Sequence, residues 1–155
     1  MSTDAELDQT ISRIPTPERL EQFALNVESR SPKHAQAARR RAVELRAATH
    51  GAKTDVEREC LEAIYAYERA ESQIRGKKFH ASRTWPMIKR RGIIAAVEFV
   101  VTRKDETTGY RTLIEMGLQD MAFEAVVLRH PESFTEDALK ASRERFQRWH
   151  VLGAE

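Results

Sequence analysis

The residues with the clearest chemical potential form a basic segment that has no acidic counterpart. Between Glu71 and Glu98 the chain contains no acidic residue. We call this segment the basic window, and its cations are Arg75, Lys77, Lys78, Arg83, Lys89, Arg90 and Arg91. Because the formal net charge of the 155-residue chain is only +2, these seven cations exceed the whole net charge. A local positive field of this kind attracts polyanions whatever the overall charge.

The chemistry expected of such a segment is the binding of phosphate groups. Lysine acts on phosphate as a point charge, and arginine can donate two parallel hydrogen bonds to it. Trp85, inside the basic window, is predicted either to stack on a base or to anchor the segment to the core. The leading hypothesis is therefore a small, bacterial-type nucleic-acid-binding or DNA-associated accessory protein, with DNA favoured over RNA. Its predicted contact residues are the seven cations of the basic window and Trp85.

A plainer interpretation is that the basic window is a solvated loop whose arginines pair with acids elsewhere. A second basic run, Arg39–Arg41 with Lys33 and His34 close by in sequence, could extend the same face. Three consecutive arginines on a helix point in different directions, however, so they cannot all reach one ligand.

Two other classes of function fit the same residues. In a protein-interaction adaptor or homodimeric regulator, the basic window would bind an acidic protein. The dimer contact would come from an apolar C-terminal patch of Phe146, Trp149, Val151 and Leu152. In an enzyme, Glu98 with Arg83 or His80 would act on a phosphate-containing substrate. No metal-binding, phosphate-loop, dinucleotide or nucleophile-elbow motif occurs, so we expect no catalytic residue, metal or cofactor.

Helix start and stop signals divide the N-terminal half into three helices. Thr16-Pro17, Ser31-Pro32 and Thr54 mark the starts, and Gly51 and Gly76 mark the ends of the second and third helices. These helices are predicted to form a bundle over residues 1–75. The polar run from Gly76 to Pro86 indicates a loop that enters a short helix near Arg91, so residues 76–91 form a separate basic segment.

The C-terminal half, residues 92–155, contains two similar octapeptides. AVEFVVTR runs from Ala96 to Arg103 and AFEAVVLR from Ala122 to Arg129. A glycine precedes each of them, which predicts two pseudo-repeated helical hairpins, although chance similarity of two amphipathic helices competes with that interpretation. The Gly92 turn resembles a helix-hairpin-helix motif, in which backbone N–H groups hold a phosphate. Ile94 stands where that motif has its second glycine, so an ordinary helical hairpin is the alternative.

Glu98 and Glu124 occupy equivalent places in the two octapeptides. A carboxylate on a mainly apolar helix is expected to be partly buried and to need a partner. We expect structural ion pairs within the helical domain, with Arg83, Arg111 and Arg143 as unranked candidates. Thr135 is predicted to cap a final helix. A loop is expected from Asp105 to Gly109.

The complete chain is expected to form a single all-α domain, 1–155. It is long enough to bury a core without disulfides, and its one cysteine, Cys60, cannot form an internal one. Glutamates beside Cys60 argue against a nucleophilic thiolate. No apolar stretch is long enough to cross a bilayer, and the polar first residues do not form a signal peptide. We therefore expect a cytoplasmic protein with no membrane partner.

Overall fold

The computed structural model describes residues 2–103 and 109–151, and all regular structure within them is helical, as predicted. In chain order the helices are α1 (Asp4–Arg13), α2 (Pro17–Val27), α3 (Pro32–Ala48), α4 (Asp55–Arg75), α5 (Thr84–Arg91), α6 (Ile93–Thr102), α7 (Tyr110–Glu115), α8 (Phe123–Arg129) and α9 (Glu136–Val151). Single 3₁₀ turns at Gln119–Met121 and Pro131–Ser133 flank α8. Of the loop predicted from Asp105 to Gly109, only Gly109 belongs to the described residues.

The predicted helix boundaries in the N-terminal half follow from local capping chemistry. The hydroxyl of Thr16 accepts from the amide of Arg19, and the hydroxyl of Thr54 accepts from the amide of Glu57. These bonds satisfy amide donors that have no partner inside a helix. Gly76 ends α4 in the left-handed conformation, at φ 67°, which a residue without a Cβ adopts without strain. Helix α1, which the sequence analysis missed, begins in the same way at Thr3.

The N-terminal helices form layers around α3. Helices α1 and α2 pack on α3, and α3 packs on α4. Leu20, Ala24 and Val27 of α2 are buried against a stripe of alanines on α3, whose small side chains let the two helices approach closely. The predicted group of three helices therefore has a fourth member, α1, and α3 lies between α2 and α4.

Helix α4 joins the two halves of the molecule. Its residues Cys60, Ala63 and Ile64 belong to a core shared with α6, α8 and α9. Its residues Ala66 and Ala70 belong to a second core, which includes Leu113 and Leu118 around α7. With 21 residues, α4 is the longest described helix, and it packs against α3, α6, α7 and α8.

The two octapeptides both form helices, α6 and α8, but their approaches differ. Gly92 alone separates α5 from α6, at φ 98°, a conformation that side chains rarely adopt. In the second unit, α7 and α8 are separated by Gly117 and a 3₁₀ turn. The sequence similarity therefore corresponds to the helices and not to the turns before them.

Glu98 and Glu124, which occupy equivalent places in the two octapeptides, have similar roles, since each binds α9 or the residue just before it. The Glu98 carboxylate accepts from the amide of Thr135 at 2.7 Å. The Glu124 carboxylate, 1% exposed, pairs with Arg145 at 2.6 Å, and Arg145 is 3% exposed. The three arginines named in the sequence analysis were the wrong partners. Glu98 instead accepts from the backbone amide of Thr135, at the start of α9. Glu124 pairs with Arg145, which the fold brings close to it from 21 residues away in sequence.

Candidate anion-binding site

One carboxylate fixes the loop that carries the basic window. Glu68, on α4, has an oxygen that accepts from the Ala81 amide at 2.7 Å and from the Trp85 indole Nε1–H at 2.8 Å. The Nδ1 atom of His80 lies 3.1 Å from the same oxygen. In addition, the Phe79 amide donates to the Ser72 hydroxyl at 2.9 Å. Residues 79–85 are therefore held against α4 by the side chains of Glu68 and Ser72, neither of which is a cation of the basic window.

Trp85 lies among rings of its own chain. The His50 ring stacks on it at 5.2 Å, the His80 ring lies at 6.4 Å, and the Tyr65 ring is tilted at 5.0 Å. Its only polar atom already donates to Glu68. Of the two roles predicted for Trp85, this geometry favours the anchor over the base-stacking platform.

All seven cations of the basic window are exposed. Arg75 pairs with Glu71 at 3.3 Å and its guanidinium lies 4.5 Å from the centre of the Phe79 ring. Within residues 2–103 and 109–151, no ion pair or hydrogen bond of their side chains is found for Lys77, Lys78, Arg83, Lys89, Arg90 or Arg91. The basic window therefore keeps most of its charge available to an external anion.

The fold adds Arg103, which the sequence analysis did not associate with the basic window. Arg75, Arg83 and Arg103 line one cleft of about 440 Å³. The same cleft is bordered by Tyr67, Phe79, Ser82 and Thr84. Arginines from the end of α4, the start of α5 and the end of α6 thus border the same cleft.

Arg103 is held in place through its backbone and its neighbouring ring. Its carbonyl accepts from Arg145 at 2.8 Å, so the buried pair of Arg145 and Glu124 also fixes the end of α6. The Nε atom of Arg103 is buried and has no hydrogen-bond partner. The guanidinium groups of Arg103 and Arg91 each lie 5.9 Å from the centre of the Phe99 ring. Phe99 therefore connects the last cation of the basic window to the cleft.

Lys77 and Lys78 lie in different surroundings. They border a second cavity, of about 490 Å³, together with Glu18 and Glu21 of α2. Glu21 is already occupied by Arg46 at 2.5 Å and by Arg69 at 3.1 Å. The predicted site residues therefore divide: Arg75 and Arg83 reach the arginine-lined cleft, and the two lysines border a cavity that contains carboxylates.

The basic run on α3 does not extend the window as an available face. Four of its five residues have acidic partners, in the pairs Lys33–Asp4, His34–Asp8, Arg39–Glu28 and Arg40–Asp120. The hydrogen bond to Asp120 raises the pKa of Arg40, although burial opposes that rise. Arg41 is exposed. The other four residues are paired because α1, α2 and the turn before α8 bring carboxylates close to α3.

The other candidate groups have structural surroundings. Burial, with a smaller effect of Glu59 and Glu57, raises the pKa of the Cys60 thiol to about 12, so Cys60 is a buried thiol and a poor nucleophile at neutral pH. Trp149 is 7% exposed and stacks on Tyr110 at 4.2 Å, with Phe146 at its edge. These aromatic residues close the helical core; Leu152 of the predicted apolar patch lies outside the described residues.

Among the residues described, no group of three or more histidine, cysteine, aspartate or glutamate side chains is placed to hold a metal ion. No helix in that part of the chain has both the length and the apolar character needed to cross a bilayer. Comparisons with protein-family models, curated proteins and solved structures give no significant match to this chain.

Proposed function

We propose that this protein binds nucleic acid, with duplex DNA as the favoured partner, through phosphate contacts made by the basic window. The observation that supports the proposal best is the lack of internal partners. Six of the window's cations form no ion pair or hydrogen bond in the described residues, although the chain contains 24 acidic residues. Surface cations of this kind can bind an external anion without first breaking an internal pair.

The expected contacts are to the backbone of the nucleic acid and not to its bases. Helix α5 has only eight residues and ends with Lys89, Arg90 and Arg91. Contacts to phosphate position a protein without reading sequence. Trp85, whose indole N–H and ring contacts are already used within the chain, is assigned to anchoring the loop. Binding is therefore expected to depend weakly on base sequence.

Charge reversal of the last turn of α5 tests the proposal. In the triple variant Lys89→Glu, Arg90→Glu, Arg91→Glu, binding of a labelled duplex at moderate salt should be abolished, because three attractive charges become repulsive. A matched control reverses three exposed cations elsewhere, Arg30→Glu, Arg41→Glu and Lys53→Glu. The control makes the same change in net charge. If the duplex binds specifically at the end of α5, only the α5 variant should bind it much more weakly. Equal affinity of the α5 variant and the unmodified protein would refute the proposal.

The salt dependence gives a second measurement. Each phosphate that a cation neutralises on B-DNA changes the slope of log K against log[salt] by about −0.9. If three to six cations of the window make contact, the slope should be roughly −3 to −5. A salt-insensitive complex, or self-association without retained nucleic acid, would instead support the adaptor hypothesis.

A further inference from the structure

The arginine-lined cleft has a more specific geometry than the rest of the basic surface. Cations from three separate segments face a common space, whereas Lys89, Arg90 and Arg91 follow one another along a single helix end. A row of exposed charges suits an extended polyanion. A bounded cleft with converging guanidiniums suits a compact one.

The balance of charge around the cleft indicates the charge of its ligand. Glu71, paired with Arg75, offsets one of the three guanidinium charges. Arg83 has no partner among the described residues, and Arg103 has a buried Nε without a hydrogen bond. Within the described residues, two of the positive charges therefore have no ion pair. A phosphomonoester carries a charge of about −1.5 to −2 at neutral pH, whereas each phosphate of a nucleic-acid backbone carries only one negative charge.

We infer that this cleft binds the terminal phosphoryl group of a phosphomonoester, with Arg83 and Arg103 as its principal ligands and Arg75 as a supporting one. The inference goes beyond nucleic-acid binding and does not depend on it, since Lys89 and Arg90, whose charges would hold the duplex, do not line the cleft. Planar guanidinium groups match phosphate oxygens in pairs.

Other side chains around the cleft fit a ligand that carries more than the phosphoryl group. Ser82 and Thr84 border it beside the arginines, and Tyr67 and Phe79 supply an aromatic wall, with their rings edge to face at 5.5 Å. Burial, and then the charge of Glu71, raise the pKa of Tyr67, so its phenol stays protonated and able to donate. The volume of about 440 Å³ lies within the range of roughly 300–1,000 Å³ typical of small-ligand sites.

Two sources of a phosphomonoester are possible, a free small molecule and the 5′-phosphorylated end of a strand. Titration calorimetry would compare AMP with adenosine, and a 5′-phosphorylated single-stranded decamer with the same decamer bearing a 5′-hydroxyl. Preference for AMP over adenosine, with no effect of the 5′-phosphate on the decamer, would assign the cleft to free phosphomonoesters. Preference for the 5′-phosphorylated decamer would assign it to strand ends. If neither phosphorylated probe binds better than its unphosphorylated partner, the inference is overturned.

The ligand roles are tested by neutral substitutions. Arg83→Gln and Arg103→Gln should each weaken binding of the phosphorylated probe about tenfold, the effect of losing one charge-assisted contact. Arg90→Gln, on α5 but outside the cleft, is the matched control and should leave unchanged the preference for the phosphorylated probe over its unphosphorylated partner. If Arg103→Gln unfolds the protein, Arg83→Gln still decides the question, because Arg83 is exposed and unpaired in the described structure. Equal weakening by Arg83→Gln and Arg90→Gln would show that only general charge matters and would overturn the inference.

Failure of this inference is distinguishable from failure of the proposed function. The α5 triple variant should lose duplex binding and keep its preference for the phosphorylated probe over the unphosphorylated one within about threefold, since it retains the arginines of the cleft. Arg83→Gln should show the opposite pattern, with a large loss for the probe and a small one for the duplex. Parallel losses of both ligands in both variants would contradict a separate cleft.

Discussion

The basic run on α3 and the basic window look alike in sequence and differ in the fold. Lys33, Arg39 and Arg40 each reach a carboxylate of another segment, at Asp4, Glu28 and Asp120. In the window, Arg75 alone is paired within the described residues, and its partner Glu71 lies on the same helix. The comparison teaches that a run of positive charge becomes an available surface only if the rest of the chain does not cover it with acids.

The difference between these two regions has a consequence for mutation. Removing a paired cation leaves a carboxylate without its partner and so lowers stability. Removing an unpaired exposed cation changes the folded state little, and its effect should appear in binding. The expected loss of stability on mutation therefore falls from the most buried pair to the most exposed charge.

The largest effect is expected at the most buried pair. Arg145→Ala should lower the free energy of unfolding by about 3–5 kcal/mol, because Glu124 remains buried without a counter-charge and the carbonyl of Arg103 loses its donor. Urea unfolding of the variant measures this cost. The double variant Glu124→Gln, Arg145→Met should recover part of it, since no buried charge then lacks a partner. An Arg145→Ala variant as stable as the unmodified protein would show that the pair is dispensable.

An intermediate effect is expected on α3. Arg40→Ala should cost about 1–2 kcal/mol, because Arg40 donates to the Gly117 carbonyl and to Asp120. The neighbouring Arg41→Ala is the matched control and should change stability by less than about 0.5 kcal/mol. Thermal unfolding of the two variants gives the comparison. Similar losses at both positions would contradict the distinction between paired and unpaired cations.

A smaller effect should depend on pH. Arg129, the counterpart of Arg103 in the second octapeptide, pairs with Glu59 at 2.7 Å, and His130 lies 2.9 Å from the same carboxylate. Burial opposes ionisation of Glu59, but the hydrogen bonds from His130 and Arg129 outweigh it and lower its pKa. The stabilisation is therefore complete above the unfolded-state pKa of about 4.3 and is lost as the pH falls through the lowered folded-state pKa.

Substitution of Glu59 isolates this contribution. Glu59→Gln should cost about 0.5–1 kcal/mol at pH 7 and progressively less below pH 4. Urea unfolding at a series of pH values from 3 to 7 measures both stability curves. A difference between the two proteins that stays constant over this range would contradict the assigned role of the carboxylate.

The smallest effect on stability is expected in the basic window. Lys89→Ala, Arg90→Ala and Arg91→Ala should each change the free energy of unfolding by less than about 0.5 kcal/mol. Their cost should instead appear in duplex binding, which a fluorescence-anisotropy titration of the same proteins would show. A loss of more than about 1 kcal/mol of stability would indicate an internal role for these cations.

Much of the helical pattern could be predicted from local signals. The Thr16-Pro17 and Thr54 starts and the Gly76 end are short-range capping features that act within one turn, so the sequence alone reveals them. Helix α1 was missed because its exposed face is acidic and polar and only Ile11 is buried. A mainly polar segment gives little periodic signal, even when Thr3 caps it.

The candidate site could be predicted only in part, because it depends on contacts between distant segments. Exposure of the window follows from its composition, but Arg103 lies 12 residues beyond Arg91 in sequence and ends an apolar helix. Its place in the cleft results from the packing of α6 on α4 and from the bond between its carbonyl and Arg145. Likewise, the partner of Glu98 is a backbone amide, and residue type gives no indication of such a partner.

Glu68 accepts hydrogen bonds from the Ala81 amide and from the indole of Trp85, and so positions the loop that carries the basic surface. Glu68 is not itself one of the surface cations. The carboxylate on α4 shapes the loop, whereas the cations of the window, apart from Arg75 over the Phe79 ring, form no ion pair or hydrogen bond in the described residues. Related chains could therefore exchange, add or lose surface cations and so adjust ligand strength without rebuilding the loop. Replacement of Glu68, by contrast, would remove the acceptor of the Ala81 amide and of the Trp85 indole and so release the loop that carries these cations.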